Sequence, residues 1–260
     1  MAKPTIILLP GAWHSPAHYD KLRAVLKHHG YETEAVALAT VNPKDPANTD
    51  ADSDVEVISA AIKKVLDSGK DAILVTHSYS GIPGQSAAYS FVEPGEGGPR
   101  LTAIAMMTSF LYPPRTALLA PVGGKPFPLH VVNAEETLVD VGDPGPDHLF
   151  YNDLSAEEAA NSKSLLKTHS WRCKTLPPSA KGAGYWHIPT YYLVCEKDNA
   201  LPADLQRSWI VAANEDLEKR GSGLRIREES VESGHSPFLS RTEQTADFIR
   251  RAAGEDVPVS

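Results

Sequence analysis

The chain has 260 residues, enough for one α/β domain with a large core, and carries a formal net charge of −8 at a sequence pI near 5.7. That balance excludes the basic footprint of a nucleic-acid or anionic-membrane binder, and no apolar run approaches the roughly 20 residues that span a bilayer. Only two cysteines are present, Cys173 and Cys195, without CxxC spacing, so neither a disulfide framework nor a zinc site is expected.

The first apolar run, Thr5–Leu9, reads as a buried strand. It is too short for a signal peptide and ends at Pro10-Gly11, so a reducing, cytoplasmic setting is the default. Ser15-Pro16 supplies an N-cap and a first-turn proline for a helix carrying Tyr19, Leu22, Val25 and Leu26, which Gly30 stops. Residues 32–38 read as the next strand and 42–50 as a loop. Ser53-x-x-Glu56 reads as a capping box for a helix with Val55, Ile58, Ile62 and Val65 on one face. Residues 72–76 form an unalternating apolar run, the mark of a parallel strand buried on both sides. A small-residue helix with Gly84, Ser86, Ala87 and Ala88 follows, and then a strand over 101–109. This β-α-β-α-β-α-β order predicts right-handed crossovers and a mostly parallel sheet with helices on both faces.

The alternation then breaks. Residues 110–186 are rich in Pro, Gly, aromatic and acidic residues, with only one or two clear helices, the best over 155–168, and read as a cap or lid inserted into the core formed by 1–109 and 187–260. The rhythm resumes with a strand at Thr190–Cys195, a helix at Ala203–Arg220, a strand over 224–230 and a helix capped by Ser240-x-x-Glu243.

The chemistry gathers where strands end. His77-Ser78-Tyr79-Ser80-Gly81 joins a strand to a helix, the geometry of a nucleophile elbow, in which a sharp turn exposes a serine at the carboxyl edge of the sheet. Such a turn asks for small residues two before and two after the serine. Ser78 has Thr76 and Ser80, whereas Ser80 would have the β-branched Ile82, so Ser78 is the candidate nucleophile. Asp198 and His235 follow the last two predicted strands. The order Ser, Asp, His at the ends of parallel strands suits a relay in which His235 takes the serine proton and Asp198 orients the imidazole. Glu196 and Asp204 compete for the acid's role but fit better as a strand end and a helix start. The N–H of Tyr79 and one from Gly11-Ala12-Trp13, assigned to Ala12, are the expected oxyanion donors.

LLPGAWHSPAHY, THSYSG, CEKDNALP and GHSPFLS together resemble the serine α/β-hydrolase superfamily, in particular the branch of plant-type methylesterases and hydroxynitrile lyases with related microbial and fungal esterases. The resemblance runs nearly the whole length and weakens in the cap. It implies an α/β-hydrolase fold, a triad of Ser78, Asp198 and His235, and no cofactor or metal. Pro10 stands where the family usually has a histidine, and Thr76 and Ser80 stand where it has the elbow glycines.

Trp13, His14, Leu201, Phe238, Phe110 and Trp186 are the expected substrate-binding residues, His77 reads as a packing residue rather than a second base, and Asp140, Asp143 and Asp147 miss the EF-hand spacing. The expected activity is hydrolysis of an ester, thioester or lactone of a small apolar or aromatic molecule through an acyl-enzyme. The alternatives are a C–C or cyanohydrin lyase or another non-hydrolytic reaction using the same site, where the resemblance to hydroxynitrile lyases implies help from a cap lysine (Lys125, Lys163, Lys167, Lys174 or Lys181), and a non-catalytic ligand receptor. The expected partner is a small molecule, neither nucleic acid nor membrane.

Overall fold

The computed structural model describes residues 3–93 and 97–259. Its elements, in chain order, are β1 (Thr5–Leu9), α1 (Asp20–His28), β2 (Thr33–Ala35), α2 (Ala51–Asp67), β3 (Ala72–His77), α3 (Gly81–Tyr89) and β4 (Leu101–Met107). Then come β5 (His130–Val132), β6 (Leu138–Val141), α4 (Pro146–Leu149), α5 (Ala156–Ser164), β7 (His169–Ser170) and α6 (Arg172–Thr175). The chain closes with β8 (Thr190–Cys195), α7 (Ala203–Arg220), β9 (Arg227–Val231), α8 (Pro237–Ser240) and α9 (Thr242–Ala252).

Six strands form one sheet in the order β2-β1-β3-β4-β8-β9, every neighbouring pair parallel. The pleat sends alternate residues of each strand to opposite faces, and in β1, β3, β4 and β8 both faces are buried and mostly apolar, which is why these strands show no polar alternation; the edge strands β2 and β9 are more polar and more exposed. Ile6, Leu8, Ile73 and Val75 meet α1 and α9 on one side. Ile7, Leu9, Leu74, Ile104 and Met106 meet α2, α3 and α7 on the other. Because all six strands run the same way, their carboxyl ends share one edge. From β1 the chain goes outward to β2 and then returns past β1 to β3, so the order reverses between β1 and β3, where such sheets open a crevice.

Between β4 and β8 the chain builds a three-stranded antiparallel sheet, β5-β6-β7, and the short helices α4 to α6. The sequence pattern missed this small sheet because its strands are two to four residues long. Of the helix predicted over 155–168, α5 forms, with Ser155 and Glu158 closing a capping box.

Several predicted boundaries move. Only Thr33–Ala35 of residues 32–38 joins the ladder, since β2 is an edge with one neighbour. β9 begins at Arg227 rather than 224. Ser15 precedes a short 3-10 turn, Pro16–Tyr19, and α1 starts only at Asp20. α2 starts at Ala51, capped by Asp50 and not by Ser53, because the Asp50 carboxylate accepts from two first-turn amides. Ser240 does not cap α9. It ends α8, and its hydroxyl bonds to that of Ser233 at 2.8 Å.

Candidate active site

At the carboxyl end of β3, Ser78 has φ +52, the left-handed region that a residue with a Cβ rarely enters. Its neighbours hold it there. The Ser78 carbonyl accepts hydrogen bonds from the Phe110 amide and the Ser109 hydroxyl, both at 3.0 Å. Ser80 accepts from the His77 amide at 2.9 Å and donates to the turn, with the Leu9 carbonyl at 3.0 Å and that of His77 at 2.9 Å. A serine at that position thus ties the turn to the end of β1, which a glycine would not do. The need for a missing Cβ falls elsewhere. A Cβ on Gly81 would stand 2.2 Å from the Phe110 carbonyl oxygen, and one on Gly11 would stand 2.8 Å from His77 Nδ1.

Asp198, in the loop after β8, is buried and ringed by donors. One carboxylate oxygen accepts from the amides of Ala200 and Leu201 at 2.7 and 2.8 Å. The other accepts from the Thr108 hydroxyl and from His235 Nδ1, the latter at 2.7 Å. His235 lies after β9, 2 % exposed. His77 Nε2–H donates to the His235 carbonyl at 2.8 Å, and burial drives the His77 pKa well down, so that imidazole is a neutral support. Nδ1 of His235 is therefore committed to Asp198, leaving Nε2 for the cavity. Ser78 and His235 line that cavity together; no direct hydrogen bond joins their side chains among the described residues. Such links commonly tighten only when substrate is bound.

The cavity measures about 330 Å³, in the range for a small organic molecule. Ala12, Trp13, Tyr79, Phe110 and Leu201 line it with the serine and the histidine. The Ala12 and Tyr79 amides have no acceptor among the described hydrogen bonds, the condition required of oxyanion donors. From the segment between β4 and β8 come Leu118, Phe127, Leu129, His130, Phe150 and Lys174.

Three residues expected against substrate lie elsewhere. His14 is buried behind the loop, its Nδ1 2.8 Å from the Ala12 carbonyl and its Nε2 3.1 Å from Tyr151 Oη. Phe238 packs between Tyr19 and His77 on the α1/α9 side of the sheet. Trp186 is drawn to α7, where its indole N–H donates to Asp216 at 2.7 Å and the Arg220 guanidinium lies 3.4 Å from its ring centroid. In each case a stronger local partner takes the side chain that the cavity was expected to use.

The motifs gave no sign of a group of supporting residues. Thr108 sits just past β4 with φ +36, which aims its hydroxyl at Asp198. Gln206 binds both the amide and the carbonyl of Cys195 and the carbonyl of Leu201, tying down the two ends of the Asp198 loop. Asp153, from the segment after β4, accepts from the Gly234 amide at 2.8 Å and fixes the turn into His235. Behind the serine's turn the Tyr79 hydroxyl donates to Asp54 at 2.7 Å, and Asp54 also accepts from the amide and hydroxyl of Thr40. Burial raises the Asp54 pKa to about 6 despite these donors. The one available signal was position, a polar residue just beyond an apolar strand, and it singles out only Thr108. Among the described residues no helix is long and apolar enough to cross a membrane.

A family profile described as "Alpha/beta hydrolase family" matches residues 6–248. The chain is 30% identical over 268 residues to alpha/beta hydrolase nvfD of Aspergillus novofumigatus, covering all of both chains. It is 23% identical over 264 residues to methylesterase 9 of Arabidopsis thaliana, covering 95% of this chain and 97% of that one. A pyrethroid hydrolase from Sphingobium faniae superposes with a TM-score of 0.74 at 20% identity, covering 97% of this chain and 98% of that one. Methylesterase 9 bears the name of the branch that the four motifs resemble.

Proposed function

Since the chain belongs to the alpha/beta hydrolase family, we propose that it is a cofactor-independent carboxylic ester hydrolase acting on a small, largely apolar substrate. The observation that carries this reading is the pairing of a serine in a left-handed turn with a histidine bonded to a buried aspartate, both facing one cavity. The names of methylesterase and pyrethroid hydrolase among the similar proteins support an ester over other acyl bonds.

In this mechanism Ser78 Oγ attacks the ester carbonyl while His235 Nε2 takes its proton. The oxyanion forms against the Ala12 and Tyr79 amides. Asp198, held by four donors, keeps Nδ1 of His235 protonated and stabilises the imidazolium, which then gives its proton to the departing alcohol. Water activated by His235 hydrolyses the acyl-enzyme, releasing the acid and restoring the serine. Residues 110–186 act as the cap, closing the apolar side of the cavity over the bound molecule. Phe110, Phe150 and Trp209 make that side hospitable to an aromatic group.

Ser78→Ala tests the reading. Hydrolysis of 4-nitrophenyl butyrate is expected to fall by roughly 10,000-fold or more with the thermal unfolding midpoint unchanged. Activity undiminished in that variant excludes the mechanism, and product analysis showing lysis without ester hydrolysis replaces it with the lyase reading.

A further inference from the structure

The insertion brings a single buried ammonium to this mostly apolar cavity. Lys174, on α6, is 1 % exposed, and it lines the same cavity as Ser78 and His235. Its Nζ lies 4.5 Å from the ring centroid of Trp13 and 4.8 Å from that of Tyr79. Two aromatic faces stabilise a cation in part, but they do not neutralise it. Among the described residues no carboxylate comes within ion-pair distance of Nζ and no acceptor takes its hydrogen bonds; the carboxylate whose charge bears on it, Asp54, is already taken by Thr40 and Tyr79. The contrast with a surface lysine of the same segment is direct, since Lys163 meets Asp147 at 2.7 Å in solvent. A buried ammonium without a counter-ion is costly to maintain. One facing a ligand cavity is accounted for when the ligand brings the counter-charge.

We propose that Lys174 receives an anionic oxygen of the substrate, so that the site takes esters bearing a second acidic group, a carboxylate or an enol or phenol of comparable acidity. The proposal deepens the hydrolase reading and rests on it for the word ester. The two rings that cradle Nζ belong to Trp13, next to Ala12, and to Tyr79, next to Ser78. The ammonium, carried by the inserted segment, is thus seated against rings from the loop after β1 and from the serine's turn, while Phe110 and Trp209 receive the apolar body. The residue acts in recognition, and no proton or electron transfer is asked of it.

The groups around it leave a clean pH signature. His130 on β5 is pushed down to about 3 by burial and by Lys174 itself, and His169 on β7 lies well below the usual imidazole range, so both are neutral from pH 7 upward. Asp54 on α2 ionises at about 6, Cys173 on α6 is pushed up to about 12, and Tyr79 is raised well above its ordinary value. Burial lowers Lys174 to about 8. Of these groups, Lys174 alone changes charge between pH 7 and about 10. An anion holds the proton on Lys174, so anion binding is strongest below its free pKa and fades above it.

The experiment uses the Ser78→Ala protein, which holds ligands without turning them over, and the isosteric pair phenylacetate and phenylacetamide, with dissociation constants from calorimetry. Phenylacetate is expected to bind at least tenfold more tightly than the amide at pH 7, with the ratio falling toward one at pH 10 and in Ser78→Ala/Lys174→Met at pH 7. A ratio of one at pH 7, or a preference that survives Lys174→Met, overturns the proposal. If Lys174→Met does not fold, the pH series on the parent decides alone, and a preference unchanged to pH 10 refutes it. Because no turnover is required, failure here is distinct from failure of the hydrolase reading, which shows as absent esterase activity in the unmodified protein.

Discussion

The cavity has two unlike walls. On the side of the sheet edge, each key group is fixed through the backbone and by buried polar contacts: Ser78 by a left-handed turn and two donors on its carbonyl, Asp198 by four donors, His235 by Asp198 and by His77 at its carbonyl. On the side of the segment after β4, Leu118, Phe127, Leu129 and Phe150 meet the cavity through apolar packing, and the rim ends in Val122, 41 % exposed. A directional network loses its function when one member shifts by an ångström, whereas an apolar wall can exchange side chains and keep its character. The first wall suits chemistry that must not vary. The second suits recognition, where variation changes the substrate.

The sharpest way to break this contrast is to change one atom of the first wall. Asp198→Asn keeps the shape but offers His235 Nδ1 an amide that can present N–H as readily as oxygen, so the imidazole loses the tautomer that leaves Nε2 free to accept. A fall of kcat by roughly 10,000-fold is expected, with KM nearly unchanged. Steady-state kinetics on a 4-nitrophenyl ester checks it. A loss below tenfold would mean that the donor ring around Asp198 serves only folding.

The two walls also differed in how much the sequence disclosed. The central strands of the large sheet were readable because burial on both faces leaves unbroken apolar runs such as Thr5–Leu9, and residues that follow such runs stand at one edge in a parallel sheet. Ser78 and Asp198 could be singled out that way, whereas His235 follows the polar edge strand β9 and was legible from the Ser, Asp, His order and its GHSPFLS motif. Thr108, Gln206 and Asp54 could not, because their roles come from contacts 90, 11 and 25 residues away in the chain, made by ordinary polar side chains without a spacing pattern. Five lysines of the insertion looked alike in sequence. Only the packing of α6 against Trp13 and Tyr79 separates Lys174 from Lys163, which is solvated. The misassignment of Trp186 has the same origin, since Asp216 and Arg220 on α7 lie beyond any local pattern.

A smaller effect probes what lies behind the first wall. The Asp54 carboxyl has its pKa raised by burial from 3.8 to about 6 in the native protein. Between those two values the native state holds a proton that the unfolded chain has released. The contribution of this group to stability is therefore greatest below about pH 4 and is lost as pH rises through about 6, by about 3 kcal/mol in all. Asp54→Asn removes that dependence. Urea unfolding of both proteins at pH 4, 5, 6 and 7 is expected to show a stability difference that changes by about this amount. Parallel curves would place the native pKa of Asp54 at its ordinary value and make the support of Tyr79 independent of charge.

The smallest expected change lies at the mouth. Leu205, on α7 beside the apolar wall, lines the cavity while remaining 41 % exposed, so it contributes little to the core. Leu205→Ser is expected to alter stability by no more than about 0.5 kcal/mol, the usual range for a surface position. For acyl chains long enough to reach the rim the substitution removes apolar contact that short chains never make. At about 25 cal/mol per Å² of apolar surface, losing some 40 Å² of contact corresponds to about 1 kcal/mol, or a five-fold rise in KM. Comparing 4-nitrophenyl octanoate with 4-nitrophenyl acetate isolates that term, because the catalytic groups are common to both esters. A rise for octanoate alone assigns the rim to recognition. An equal fall in kcat for both would show that the rim is coupled to the strand-end network, and the two walls would then act as one.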